Sequence, residues 1–197
     1  RFAEILKKEL PNSIIVIGGV HITTLPDSFE NSPFDIAMLG EVEITAFKFI
    51  KSIIEENGLN LKKIEKIKGL LIRNKNKIIS TGPAELIENL DEIPIPDRGY
   101  FNMKYYALPR FSSEEDIEPI GTIMTARGCA FRCRFCSTTS FWRKRIRFFS
   151  AKRVADEIEM LHKKYGYRRI YIYDDLFTLN KARIREIVQE LDTRGLK

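Results

Sequence analysis

The stretch TARGCAFRCRFCSTTSFW, residues 125–142, contains all three cysteines of this 197-residue chain. Cys129, Cys133 and Cys136 follow the spacing C-x3-C-x2-C. Positions i, i+4 and i+7 could share one face of a helix, but we interpret three cysteines crowded into eight residues as ligands and not as core packing. The odd number of cysteines, in a chain whose first residues read as an amphipathic helix and not as an export signal, argues against a disulfide framework. The pattern therefore predicts a metal site.

The identity of the metal follows from the number of ligands. Structural zinc is usually held by four protein ligands, and three thiolates from one loop are an unusual donor set for catalytic zinc. The only histidines are His21, in another predicted domain, and His162, inside a predicted helix. Cysteine thiolates at short spacings hold iron–sulfur clusters, and three of them on a four-iron cluster leave one iron open to a further ligand. A zinc module remains the alternative.

The cysteines lie inside a block of basic residues. No Asp or Glu occurs from Ile120 to Ala155, although the chain as a whole carries a net charge of only +6. The basic residues of the block are Arg127, Arg132, Arg134, Arg143, Lys144, Arg145, Arg147, Lys152 and Arg153. Cations near a negatively charged cluster favour electron uptake. The alternative is that part of this block is an ordinary solvated surface.

Residues 1–66 alternate between helix and strand patterns. The apolar strands SIIVIGG (13–19) and FDIAMLGE (34–41) predict a parallel sheet covered by helices. In the helix that follows the second strand, Ile44, Phe47, Ile50 and Ile54 keep helical spacing and predict a buried stripe. Ala46, Phe49 and Ile53 widen this stripe. Residues 67–119 read as a β-hairpin followed by a proline-rich linker. We place domain boundaries at 66/67 and 119/120.

Residues 120–197 return to a βαβα pattern, which is typical of a parallel sheet or barrel. Ser150 and Asn180 are predicted to cap the two helices at their N-termini, and Gly166 ends the first of them. Asp174 and Asp175 follow the second strand of this region. The carboxyl ends of parallel strands form the mouth where such folds bind ligands, so both aspartates are candidate binding residues.

The cysteine loop, with Phe135 immediately before the last cysteine and a strand before the loop, resembles the signature of the radical S-adenosylmethionine superfamily. The resemblance implies that Cys129, Cys133 and Cys136 bind a 4Fe-4S cluster and that S-adenosylmethionine occupies the open iron. It also implies that Phe135 contacts the adenine and that Asp174 or Asp175 contacts the amino group of that cofactor. An acidic electron donor such as flavodoxin or ferredoxin is the expected protein partner.

A second resemblance covers nearly the whole chain. Gly18-Gly19-Val20-His21 and Gly40-Glu41-Val42-Glu43 are similar to the GGxH and GEGE motifs of the cobalamin-linked radical subgroup, with a departure at Val42. There, Gly18 and Gly19 would contact cobalamin, whereas His21 is interpreted as a loop residue and not as a cobalt ligand. The DxHxxG element of that subgroup does not occur in these residues, so we interpret the chain as a fragment.

These patterns together predict an α/β fold. It would comprise the C-terminal part of a Rossmann-like cobalamin-binding domain (1–66), a hairpin and linker (67–119), and the first βα units of a partial barrel (120–197). The function implied by the resemblance is reductive cleavage of S-adenosylmethionine to a 5′-deoxyadenosyl radical, for methyl transfer or cyclisation on an organic substrate. We expect a cytoplasmic protein without a membrane span, and a fragment that is inactive alone.

Two alternatives are carried forward. A radical enzyme that modifies tRNA or another nucleic acid is suggested by Phe141, Trp142, Phe148 and Phe149, which interleave with the basic residues. A non-catalytic zinc-binding module is the other. Inorganic sulfide in the reconstituted protein separates the zinc module from both radical enzymes.

Overall fold

The computed structural model describes residues 1–75, 77–102 and 120–196. The chain divides into two compact units, the first formed by Arg1–Ile87 with Arg134–Arg143 and the second by Glu88–Cys133 with Lys144–Lys197. This division differs from the predicted boundaries, because the hairpin belongs to the first unit and part of the cysteine loop does too. Residues 103–119 of the predicted linker lie outside the described residues.

The first unit contains a four-stranded mixed sheet in the order β1-β2-β3-β4. Its strands are β1 (Val16–Gly18), β2 (Ile36–Met38), β3 (Leu70–Asn74) and β4 (Lys77–Ser80). The predicted parallel pairing of β1 with β2 is confirmed, and β3 and β4 extend the sheet in antiparallel fashion. Its helices are α1 (Phe2–Glu9), α2 (Val20–Thr24), α3 (Glu43–Glu55), α4 (Leu61–Ile64) and α5 (Thr138–Phe141).

The orientation of α3 differs from the prediction. Phe47, Ile50 and Ile54, expected to be buried, are 66%, 56% and 73% exposed. The expected burial of Phe49 is confirmed, and Thr45 is buried beside it. Apolar residues lie around most of this helix, so periodicity alone permits more than one buried face. The observed face is favoured by the hydroxyl of Thr45, which donates to the carbonyl of Lys68 across 2.9 Å, and by the packing of Phe49 in the core.

The second unit contains the parallel pair β5 (Ile120–Ile123) and β8 (Arg169–Ile172). A separate antiparallel ribbon of β6 (Ala126–Gly128) and β7 (Ile146–Phe148) lies between them in the sequence. The helices α6 (Ala151–Tyr165) and α7 (Lys181–Thr193) complete the unit. The predicted βαβα order is therefore confirmed, with the ribbon as an element that the sequence analysis treated as loop.

The helix boundaries of the second unit follow local rules. The side chains of Ser150 and Asn180 accept from the backbone N–H groups of Arg153 and Arg183, as predicted for N-caps. Gly166 ends α6 with a φ of 71°, in the left-handed region that favours glycine. Val154, Leu161 and Ile187 join Ile123 and Phe149 in the core, which fixes α6 and α7 against the strands.

None of the helices in the described parts of the chain combines the length and the apolar character needed to cross a membrane.

Candidate functional site

The cysteine loop begins directly at the end of β6. Gly128 has a φ of 93°, a conformation that other residues rarely adopt, and Cys129 follows it. All three cysteines are free thiols: Cys129 and Cys136 are half-buried and Cys133 is exposed. The thiols are therefore not occupied by disulfides, and the backbone before the first of them turns at a position suited to glycine.

The division into two units falls within this loop. Cys129 and Cys133 belong to the second unit and Cys136 to the first. Within the first unit, the segment that carries Cys136 continues into α5, which contacts α2. Among residues 1–75, 77–102 and 120–196, no three His, Cys, Asp or Glu side chains are grouped closely enough to hold a metal ion. The convergence of the three thiolates therefore remains a prediction.

The chemistry of the donor set fits an iron–sulfur cluster better than zinc. The three free thiols lie within eight positions, and no carboxylate lies between Ile120 and Ala155 to complete a zinc tetrahedron from the loop itself. Both histidines lie in helices, with His21 in α2 and His162 in α6. His162 Nδ1 lies 3.0 Å from the carbonyl oxygen of Tyr167, so this ring atom has a main-chain partner.

The basic block is only partly neutralised within the second unit. Arg145 donates twice to Glu88, at 2.8 and 2.6 Å, and this bond lowers the pKa of the Glu88 carboxyl. Lys152 and Arg153 pair with Asp156 and Glu157. In contrast, Arg132 and Arg134, on either side of Cys133, are exposed. Two cationic side chains are therefore the sequence neighbours of the exposed thiol, and Arg143 and Lys144 are exposed as well.

The aromatic residues of the block fall into two groups. Phe149 is buried in the core, and the rings of Phe141 and Trp142 pack edge to face with centroids 4.5 Å apart. Phe135, in contrast, is 93% exposed. The ring of Phe148 faces the guanidinium of Arg183, 4.9 Å from its centroid. These contacts give the first group a packing role, and the base-stacking surface stays a prediction. Phe135 stays a prediction as the adenine contact.

The two aspartates after β8 have different surroundings. Asp174 is half-buried, and its carboxylate accepts from the backbone N–H groups of Thr125 at 2.6 Å and Ala126 at 3.0 Å. Asp175 is exposed. Either aspartate was predicted from the sequence as the contact of the cofactor's amino group, without a choice between them. The structure gives Asp174 main-chain partners at the base of the cysteine loop.

Arg183 was missed by the sequence analysis. This α7 residue is only 5% exposed, and it donates to the backbone carbonyls of Thr125 and Phe149. Burial lowers the pKa of its guanidinium, and the nearby charge of Asp174 opposes that effect. The sequence did contain a signal for its burial, because Arg183 lies one helical turn before Ile187, which was predicted to be buried.

The glycine motifs of the first unit lie together. Gly19 has a φ of 104° and no heavy atom within 4 Å of the place where a Cβ would stand. The hydroxyl of Thr23 donates to the carbonyl of Gly19 at 2.8 Å and accepts from the N–H of Gly40 at 2.9 Å. The structure thus links the Gly18-Gly19 turn to the Gly40-Glu41 motif, whereas His21 is exposed.

A cavity of about 310 Å³ lies in the second unit. Its lining includes Arg98, Arg153 and Glu157, together with Met124, Arg127 and Tyr173 near the carboxyl ends of β5 and β8. Glu157 accepts from Arg98 at 2.9 Å and from Arg153 at 3.0 Å. Because this carboxylate is held from two sides, it is fixed as part of the cavity wall.

Comparison with known proteins adds independent information. Residues 123–196 match the family model described as the Radical SAM superfamily. The chain is 37% identical over 196 residues to an uncharacterized methyltransferase, PH0819, of Pyrococcus horikoshii, covering 98% of the chain and 40% of that protein. It is 33% identical over 193 residues to the anaerobic magnesium-protoporphyrin IX monomethyl ester cyclase of Cereibacter sphaeroides, covering 95% of the chain and 29% of that enzyme. The chain therefore spans less than half the length of these relatives.

A solved structure shares the fold. The cobalamin-dependent S-adenosylmethionine radical enzyme OxsB, determined with aqua-cobalamin and S-adenosylmethionine bound, matches 98% of the chain and 27% of its own length. The TM-score is 0.72 and the sequence identity is 22%. At that identity the likeness concerns the fold, and it extends over both units of the chain.

Proposed function

The chain belongs to the radical S-adenosylmethionine (radical SAM) superfamily, and from this premise we propose that it forms part of a cobalamin-dependent radical SAM enzyme. The observation that carries the proposal is the loop of three free thiols that starts at the turn of Gly128. The family match covers the residues that hold this loop, and the sequence relatives are a methyltransferase and a cyclase. Methyl transfer or cyclisation of an organic substrate is therefore the proposed class of reaction.

Cys129, Cys133 and Cys136 would hold the 4Fe-4S cluster, and the fourth iron would accept S-adenosylmethionine. With both bound, the cluster would supply the electron for reductive cleavage of S-adenosylmethionine to a 5′-deoxyadenosyl radical. The role of the chain is to position these groups. Arg132 and Arg134 stabilise negative charge beside Cys133 because both are exposed cations in the same loop.

Phe135 and Asp175 are the proposed contacts for S-adenosylmethionine. The ring of Phe135 is almost fully exposed and offers an apolar face to the adenine. Asp175 is exposed and follows the carboxyl end of β8, where a carboxylate can accept from the cofactor's ammonium group. Asp174 follows the same strand, and its carboxylate accepts from the backbone N–H groups of Thr125 and Ala126.

Cobalamin is the proposed second cofactor. Support comes from the turn at Gly18 and Gly19, which Thr23 links to Gly40, and from the cobalamin present in the solved relative. The open space at Gly19 and its left-handed backbone permit close approach of a ligand to the main chain. An acidic electron donor such as flavodoxin or ferredoxin is the proposed protein partner, attracted by the exposed arginines of the loop.

The decisive experiment is anaerobic reconstitution of the chain with iron and sulfide, followed by metal and sulfide analysis. The proposal predicts about four iron and four sulfide per chain. Cys133→Ala should lose most of that content because the cluster loses one ligand, whereas Ser140→Ala, an exposed residue of the same loop, should keep it.

Two outcomes contradict the proposal. Zinc without inorganic sulfide would identify the site as a zinc module. Cluster content that is unchanged in Cys133→Ala would show that this thiolate is not a ligand.

A further inference from the structure

Thr125 connects β5 to the ribbon of β6 and β7, and it is completely buried. Its backbone N–H donates to Asp174 Oδ1, and its hydroxyl donates to Asp174 Oδ2 at 2.5 Å. The N–H of Ala126, the first residue of β6, donates to the same Oδ1. Three of roughly four acceptor positions of this carboxylate are thus filled by two consecutive residues at the entrance to the ribbon.

Arg183, on α7, also contacts Thr125. Its Nη2 donates to the carbonyl of Thr125, and its Nε donates to the carbonyl of Phe149 at 3.3 Å. Thr125 precedes β6 and Phe149 follows β7, so one guanidinium joins the two strands at the end of the ribbon opposite the cysteine loop. It also lies over the ring of Phe148, 4.9 Å from the centroid.

The ribbon needs such support. It consists of three residue pairs, Ala126 with Phe148, Arg127 with Arg147 and Gly128 with Ile146. A two-stranded ribbon of this length is not stable by itself in water, and the loop from 129 to 145 that it closes adds an entropic cost. The position of Cys129, directly after Gly128, depends on the ribbon being formed.

We propose that Asp174 and Arg183 are positioning residues that clamp the base of the ribbon and so hold the start of the cysteine loop in place for the cluster. The part concerning the cluster rests on the proposed function, whereas the clamp itself rests on the contacts of the second unit. Burial of a guanidinium is costly, and Arg183 Nη1 is buried without a partner among the described residues. The two hydrogen bonds to carbonyl groups offset part of that cost.

The test begins with backbone hydrogen exchange of the metal-free chain. In Asp174→Asn and Arg183→Lys, exchange at Thr125, Ala126 and Phe149 should accelerate about tenfold or more, the effect expected for loss of a hydrogen bond to a charged group. Thr125→Val keeps the shape of the side chain and removes only the hydroxyl bond, so it should give a smaller change and serves if the other variants fold poorly. Cys129 should also react with iodoacetamide faster than in the wild type. The increase should be larger in Asp174→Asn and Arg183→Lys than in Thr125→Val.

The matched control is Arg194→Ala. Arg194 makes several ion pairs in the same unit, all of them to carboxylates of α6 and α7 and none to the ribbon. It should leave the relative protection of the ribbon amides and the reactivity of Cys129 unchanged, after correction for global stability.

Cluster loading completes the experiment. Iron and sulfide content should fall several-fold in Asp174→Asn and Arg183→Lys and stay at the wild-type level in Arg194→Ala. Unchanged exchange at the ribbon in the first two variants overturns the clamp. If the ribbon amides lose protection in these variants but the cluster content stays at the wild-type level, the clamp does not hold the cysteine loop for the cluster. A wild-type chain that takes up no sulfide refutes the proposed function alone, because the exchange result still decides the clamp.

Discussion

The guanidinium of Arg194 donates from Nη1 to Asp156 Oδ1 across 2.7 Å, which ties the end of α7 to α6. The same guanidinium reaches Glu159 and Glu190, both at 3.1 Å. Only 17% of the Arg194 side chain is exposed. The hydrogen bond to Asp156 is the main reason that the pKa of Arg194 is raised. One arginine thus links three carboxylates from two helices.

We expect Arg194→Ala to lower the free energy of unfolding by about 1–3 kcal/mol, since hydrogen bonds from a charged, mostly buried donor are lost. Urea denaturation of the metal-free chain measures the change. Arg185→Ala, at an exposed position of the same helix, should stay within about 0.5 kcal/mol of the wild type. Equal effects of the two substitutions would show that the links to α6 contribute nothing.

The same contact predicts a pH dependence. Burial raises the pKa of Asp156, but hydrogen bonds from Lys152 and Arg194 outweigh it, so the folded-state pKa lies below the ordinary value of 3.8. Near pH 3.8 the unfolded chain therefore binds more protons at this carboxyl than the folded chain does. The stabilisation that is present above this pH disappears as the pH drops through the folded-state pKa. The destabilisation caused by Arg194→Ala should shrink between about pH 5 and pH 3. Urea curves across this range test it, and a constant difference would contradict it.

Local sequence signals were sufficient for much of the fold. The caps at Ser150 and Asn180 and the stop at Gly166 were predicted because each depends on a few neighbouring residues. The parallel pairing of β5 with β8 followed from the order of elements. These features need no knowledge of distant contacts.

The remaining features depend on contacts between distant residues. The rotation of α3 is decided by a bond from Thr45 to Lys68, and periodicity could not choose it in a helix that is apolar on most sides. The different surroundings of Asp174 and Asp175 depend on Thr125, which is 49 positions away in the sequence. The contacts of Arg183 depend on two carbonyls, one directly before β6 and one directly after β7. Spacing in the sequence carries no information about such partners.

Gly69 provides a prediction about packing in the first unit. It has a φ of 88°, and an added Cβ would lie 2.7 Å from the Cβ of Ala84 and 2.9 Å from Thr45 Oγ1. Gly69→Ala combines backbone strain with overpacking and should cost about 2–4 kcal/mol. Gly166→Ala, also at positive φ but with no atom within 4 Å, isolates the strain and should cost about 1–2 kcal/mol. Urea denaturation compares them, and an equal loss would show that the core around Ala84 yields to the methyl group.

A substitution at Gly18 can distinguish a structural role of this glycine from a role in cofactor binding. An added Cβ there would meet the carbonyl oxygen of Met38 at 3.6 Å and the Cβ of Met38 at 3.9 Å, both ordinary contacts. Gly18→Ala should therefore leave the free energy of unfolding within about 1 kcal/mol of the wild type. If the main chain at this turn lies against cobalamin, the methyl group should weaken binding of hydroxocobalamin about tenfold or more, because it holds the ligand away from the backbone. Equilibrium dialysis gives the affinity.

The control for Gly18 is Gly58→Ala, in the same unit, at a φ of 150° and with open space around the added carbon. It lies outside the Gly18-Gly19 motif, so it should strain the backbone without changing hydroxocobalamin affinity. If Gly18→Ala binds the ligand as tightly as the wild type, this glycine does not contact the cofactor. If both variants weaken binding equally, the loss reflects stability alone. Only a selective loss in Gly18→Ala supports a cobalamin site at the end of β1, since only that substitution alters the surface of the turn without straining its backbone.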